Sequence, residues 1–184
     1  MDLEFSIIYG CFAILSAAAT VTTFVTGILF FYAGDQFGKL NDIASIFQVI
    51  LMLPLTILFV QLLPDWFAVW AVLAALVGAA GMLISAYGQG LLVFERINFN
   101  RSQQFFPSGA AIGLWLLTVN ALALASSLLT PVLAWIGVAA GLGYILTVIG
   151  FLRSGQSSPL FSIGALLLGI AYPAWAVWLG MILH

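Results

Sequence analysis

Charge is what this chain has least of. Four Lys and Arg and six Asp and Glu stand among 184 residues, 5% of the total. A soluble domain carries about 25% charged residues, so these few side chains cannot cover a globular surface in water. Disorder is excluded too, because it needs low hydrophobicity and high charge. Histidine occurs once, as His184, cysteine once, as Cys11, and lysine once, as Lys39. No pair of histidines can ligate haem or a metal. The lone Cys11 can hold neither an iron–sulfur cluster nor zinc, and it forms no internal disulfide. Lys39 falls between helices, so no membrane-buried Schiff base of the retinal type can form. Intramembrane proteolysis lacks its Ser–His pair or its two carboxylates, and no Gly-rich phosphate loop with its lysine is present. A net charge of −2 without a basic patch excludes nucleic acid as a partner. These absences lead to the expectation of a non-enzymatic protein with no catalytic residue, no metal and no cofactor.

What is there instead is apolar: 64% of the chain, with a mean hydropathy of +1.23. That composition is that of an integral membrane protein. Charge-free stretches run 5–34, 43–64, 66–94, 102–152 and 154–184, and a membrane-crossing helix needs about 20 apolar residues. The stretch 102–152 is too long for one crossing and divides at Thr130-Pro131, a stop-and-start signal. The reading is an all-α, compact bundle of six transmembrane helices in a single domain 1–184, at about 5–33, 43–63, 66–92, 108–129, 131–152 and 160–183. A barrel is excluded, since lipid-facing strands alternate apolar and polar residues and these runs do not. Asp42, Asp65, Thr130 and Ser158 are the expected N-caps, with Pro131 and Pro159 in first turns where a missing N–H is harmless. Helix 1 has no positive leader and about twice the apolar length of a signal peptide, so it reads as a retained span.

The loops after helices 1, 3 and 5 hold Lys39, Arg96, Arg101 and Arg153, every Lys and Arg in the chain. By the positive-inside rule these loops are cytoplasmic and both termini, with Asp2, Glu4 and His184, face out. Asn100-Arg101-Ser102 fits a glycosylation pattern but falls on the cytoplasmic side, so no glycan is expected. Trp66, Trp70, Trp135, Trp175 and Trp178 fall towards outer helix ends, as an interfacial belt would. The segment 95–107 mixes aromatics with Arg96 and Arg101 and suits the membrane surface or a docking loop. Gly88-Gln89-Gly90 marks where helix 3 is expected to loosen. Small residues recur on helix faces: Ser16, Thr20 and Gly27 in helix 1, Gly78 and Gly81 in helix 3, Gly113 and Asn120 in helix 4, Gly137 and Gly141 in helix 5, Gly169 and Gly180 in helix 6. Such faces let helices pack closely in lipid, which predicts a tight bundle rather than an open pore. Cys11 reads as one more small packing residue.

No ionisable residue is predicted inside a span, although proton-coupled transporters rely on them. Neutral polar groups remain at mid-depth: Thr20, Thr23, Asn120, Tyr144 and Tyr172, with kinking prolines at Pro54 and Pro173. Asn120, Tyr144, Tyr172 and Thr23 are the candidate ligand-binding residues, since transporters keep their sites at the midplane beside broken helices. The same groups equally serve to bond one helix to another.

Phe37-Gly-Lys-Leu-Asn-Asp-Ile-Ala-Ser45, Met52-Leu-Pro-Leu55 and Pro173-Ala-Trp-Ala-Val-Trp-Leu-Gly180 resemble the corresponding helices of a family of bacterial multi-pass inner-membrane proteins of unknown function. The resemblance implies location in a bacterial inner membrane and carries over no site residue. Two functions follow as expectations. One is an accessory or structural subunit of a membrane assembly, its partners the lipid bilayer, another membrane protein or a second copy of itself. The other is a binding or transport protein for a small neutral apolar molecule, a lipid or pigment, at the midplane.

Overall fold

The computed structural model describes residues 3–184; Asp2 and the side chain of Glu4 lie outside the described residues. Six long helices carry the fold: α1 Leu3–Ala33, α2 Gly38–Leu62, α3 Ala68–Val93, α4 Ser108–Ala125, α5 Pro131–Ser154 and α6 Pro159–Leu183. All six are long and apolar enough to cross a membrane. In hydrocarbon every backbone N–H and C=O must be satisfied internally, and a helix does this within one segment.

The interruptions follow local chemistry. Gly34, at a φ of 110°, and Gly155, at 63°, take left-handed conformations just beyond α1 and α5, where a side chain would be strained. Pro131 and Pro159 open α5 and α6 at the first turn, behind Thr130 and Ser158. Those two residues stand at the N-cap position, but neither side chain makes a capping hydrogen bond. Two other caps need correction. Asp65 starts a 3-10 turn, Asp65–Phe67, that leads into α3. Asp42 is not a cap: a 3-10 turn at Asp35–Phe37 runs directly into α2, which begins at Gly38. Lys39 and Asp42 therefore lie within a span-length helix, against the expectation that no span holds an ionisable group. Neither does α3 loosen at Gln89; it continues to Val93. The helix expected to reach 129 ends at Ala125, and Ser127 turns the chain with a φ of 55°. Segment 95–107 contains a one-turn helix, Phe99–Ser102, capped by Asn98 Oδ1, which accepts from the Arg101 backbone N–H at 3.0 Å.

Each long helix packs on the next in sequence, and α6 returns to pack on α1, which closes a ring. The small residues set the closest approaches. A Cβ on Gly113 of α4 would stand 2.7 Å from the carbonyl oxygen of Gly141 in α5, and one on Gly141 would stand 2.7 Å from that of Gly113. Gly143 of α5 meets the Leu168 backbone nitrogen of α6 in the same way, at 2.7 Å. At the ring's closure a Cβ on Gly10 would lie 3.0 Å from the Gly180 carbonyl, and Ser6 Oγ donates to the Leu183 carbonyl at 2.6 Å.

The ring's two halves differ. Away from the cationic loops its axis is filled by Phe59, Trp115, Tyr172 and Trp175, all fully buried. Phe59 stacks on Trp175 at 5.9 Å and meets the edge of Trp115 at 6.4 Å. Trp175 thus belongs to the core and not to an interfacial belt, because its indole N–H finds a buried acceptor, Asn120 Oδ1, at 2.8 Å. Trp66, Trp70, Trp135 and Trp178 are exposed. So is Cys11, which is no packing residue; its sulfur lies 3.9 Å from His184 Nε2 at the edge of the bundle.

Candidate functional site

The half of the ring nearest Lys39, Glu95 and Gln156 is hollow. A cavity of about 660 Å³ lies there, lined from all six long helices. Its origin is the sequence of the lining faces. Several lining positions are small, Ser45, Ser85 and Ala165, while Gly27, Gly88 and Gly109 let Asn41, Phe105 and Val148 come close. The aromatic rings at this level, Phe106, Phe151 and Phe161 among them, stand along the wall of the open volume.

The floor is a hydrogen-bonded step between the two halves. Gln48 Nε2 of α2 donates to the Tyr144 hydroxyl of α5 at 2.7 Å, and that hydroxyl in turn lies 3.8 Å from the Met52 sulfur. Beneath it Ser16 of α1 and Tyr172 of α6 share a hydroxyl–hydroxyl bond of 2.7 Å, both fully buried. One wall is aromatic. Phe106 stacks on Phe151 with centroids 4.1 Å apart, and Phe161 lies 6.1 Å from Phe151. The remaining wall is polar: Thr20, Thr23, Asn41, Asp42, Ser45 and Gln89 all reach the cavity. Asn41 Nδ2 donates to the Thr23 backbone carbonyl at 2.7 Å, which ties α1 to α2 at the rim. Lys39 and Glu95 meet across the mouth at 3.7 Å, both well exposed.

The four sequence candidates separate. Tyr144 and Thr23 line the cavity. Asn120 and Tyr172 do not; they are sealed in the packed half with their polar atoms engaged. Asn120 Nδ2 donates to the Leu116 carbonyl at 2.8 Å while Oδ1 accepts from Trp175. They act as interhelical bonds, and the open volume lies nearer the cationic end than the midplane. Gln48, Asn41, Asp42 and Gln89 escaped the sequence reading as site residues. Asp42 carried a signal, a carboxylate beside an apolar run, which its resemblance to a helix cap concealed.

Among the described residues, two that line the cavity have a fully buried oxygen without a partner. Thr23 Oγ1 and Gln89 Oε1 are covered from solvent and receive no hydrogen bond. Among the described residues no three His, Cys, Asp or Glu side chains group as metal ligands. Cys11 and His184 meet at the opposite end, remote from the cavity. The arrangement suits non-covalent binding: a volume within the roughly 300–1,000 Å³ of small-molecule sites, apolar on one side and dotted with polar groups on the other. No protein family, curated protein or solved structure matches the chain.

Proposed function

We propose that this chain is a non-enzymatic protein of the bacterial inner membrane that binds a small amphipathic molecule in the cavity at its cationic end. The positive-inside rule puts that end, and the cavity's mouth, on the cytoplasmic side. The observation that carries the reading is the cavity itself. A bundle serving only as a scaffold in lipid gains from close packing throughout, and this one packs tightly in one half while leaving about 660 Å³ open in the other. The mixed walls favour an amphipathic occupant over the purely apolar one expected from mid-depth residues.

The test is occupancy and its obstruction. The full chain, extracted from its own membranes in mild detergent, is examined by native mass spectrometry. A bound species of a few hundred daltons is expected. Ser85→Phe places a ring in the cavity from α3 and is expected to remove it without loss of the folded bundle. A bare wild-type chain that also fails to bind the aromatic probe acridine overturns the proposal.

A subunit role is favoured by one observation. Phe94 and Phe99 are exposed on the same rim, flanking Arg96 and near Arg101. A stoichiometric protein in the same spectrum, with the cavity empty, would support that role instead.

A further inference from the structure

The cavity's one unpaired charge among the described residues is negative. Among the described residues, three charged ones line it: Lys39, Asp42 and Glu95. Lys39 and Glu95 pair with each other. Asp42 is left over, half-buried in the second turn of α2, with no ion pair or hydrogen bond to any described residue. A carboxylate within a membrane span is costly and ordinarily faces a partner or an aqueous cavity. Thr23 Oγ1 and Gln89 Oε1, on α1 and α3, likewise have no hydrogen-bond partner. Asp42 and Gln89 Oε1 are acceptors without a donor, and the Thr23 hydroxyl, which both donates and accepts, is unpartnered beside the same space. Opposite stand the stacked rings of Phe106 and Phe151, whose faces attract cations and aromatic bodies alike.

We infer that the molecule bound in this cavity is an organic ammonium or amidinium cation on an aromatic or other apolar body, its N–H groups directed at Asp42 and its body against the phenylalanine wall. The inference rests on the cavity being a binding site and adds the charge of the occupant. An anionic amphiphile is disfavoured by the same arrangement, since Lys39 is engaged with Glu95 and Asp42 would repel it. Gln89 Oε1 and Thr23 Oγ1 are the other unpartnered groups among the described lining residues.

The experiment compares two probes of one shape. 9-Aminoacridine is a planar aromatic cation at neutral pH with an exocyclic amino group; acridine is the same frame, uncharged and without that group. Each is titrated fluorimetrically against the purified full chain in mild detergent at neutral pH, with empty micelles subtracted. The cation is expected to bind about ten-fold tighter, as charge-assisted hydrogen bonds require. Asp42→Asn is expected to abolish that preference while leaving acridine binding unchanged, and Asp42→Glu to retain it. Equal affinity of the two probes for the wild type overturns the inference, as does a preference that survives in Asp42→Asn. In both cases acridine still binds, so the cavity remains a site. Binding of neither probe overturns the cavity reading as well. Should Asp42→Asn not fold, the wild-type ratio and its reduction in Gln89→Leu decide the matter.

Discussion

Replacing Asn120 by leucine isolates the bond that closes the packed half of the ring. The Asn120 side chain makes two hydrogen bonds, but only one crosses between helices. Nδ2 bonds the Leu116 carbonyl one turn earlier in its own helix, and that carbonyl keeps its backbone partner when the amide is lost. Oδ1 is the acceptor for the Trp175 indole N–H, and both residues are fully buried. Asn120→Leu therefore orphans a buried donor, at a cost of about 1–3 kcal/mol. In membranes, where the unfolded helices find other partners, interhelical bonds measure about 0.6–1.7 kcal/mol. Leucine branches where asparagine does, so it fills the same space against Gly137 with little cavity or overpacking penalty. The net expectation is a loss of about 1–2 kcal/mol. Reversible unfolding in mixed micelles, followed by circular dichroism on increasing the SDS fraction, measures it. Trp175→Phe removes the donor while keeping an aromatic ring for Phe59. A double-mutant cycle between the two substitutions should then give a coupling of about 1 kcal/mol. A coupling indistinguishable from zero would refute the assignment of Asn120 as an interhelical bond. Acridine binding should be unaffected by Asn120→Leu, since that residue lies outside the cavity.

Glycines at helix contacts and away from them should respond with opposite signs in the same unfolding assay. Gly113→Ala sets a methyl 2.7 Å from the Gly141 carbonyl oxygen and should destabilise by about 1–3 kcal/mol. Gly90→Ala, in a helix with nothing within 4 Å, should stabilise by about 0.4–1 kcal/mol; a loss there would contradict the packing described. In a Cys11→Ser background, Thr130→Cys should react with an impermeant maleimide added outside intact cells, and Ser157→Cys only after permeabilisation. The reverse pattern would invert the orientation and turn the cavity outwards.

The spans were legible because the bilayer imposes length and apolarity on each segment without reference to its neighbours. Thr130-Pro131 and Ser158-Pro159 divided helices where the backbone does. Small-residue spacing marked faces such as Gly113 and Gly141, but spacing says nothing about which face meets which. The closure of α6 on α1 is a relation between distant residues, and short loops constrain only adjacent helices. The cavity was hidden for a related reason: it is defined by where facing side chains fail to fill space, which depends on all six helices together. Asn41-Asp42 shows how a local rule misleads. The pair resembles a helix start, yet Asn41 is drawn to the Thr23 carbonyl of the neighbouring helix, and the chain has already turned helical before it.

The closure of the ring has a consequence for biogenesis. Ser16 of α1 finds its partner in Tyr172, 156 residues later. During synthesis α1 enters the bilayer well before α6 exists, so one flank of the first helix stays against lipid or against the insertion machinery while four further helices are made. The cavity, walled by α1 and α6 together, cannot exist in any shorter nascent chain. A ligand added during translation would find nothing to hold until the last of these helices has crossed, and binding would then report completion of assembly as a single late event.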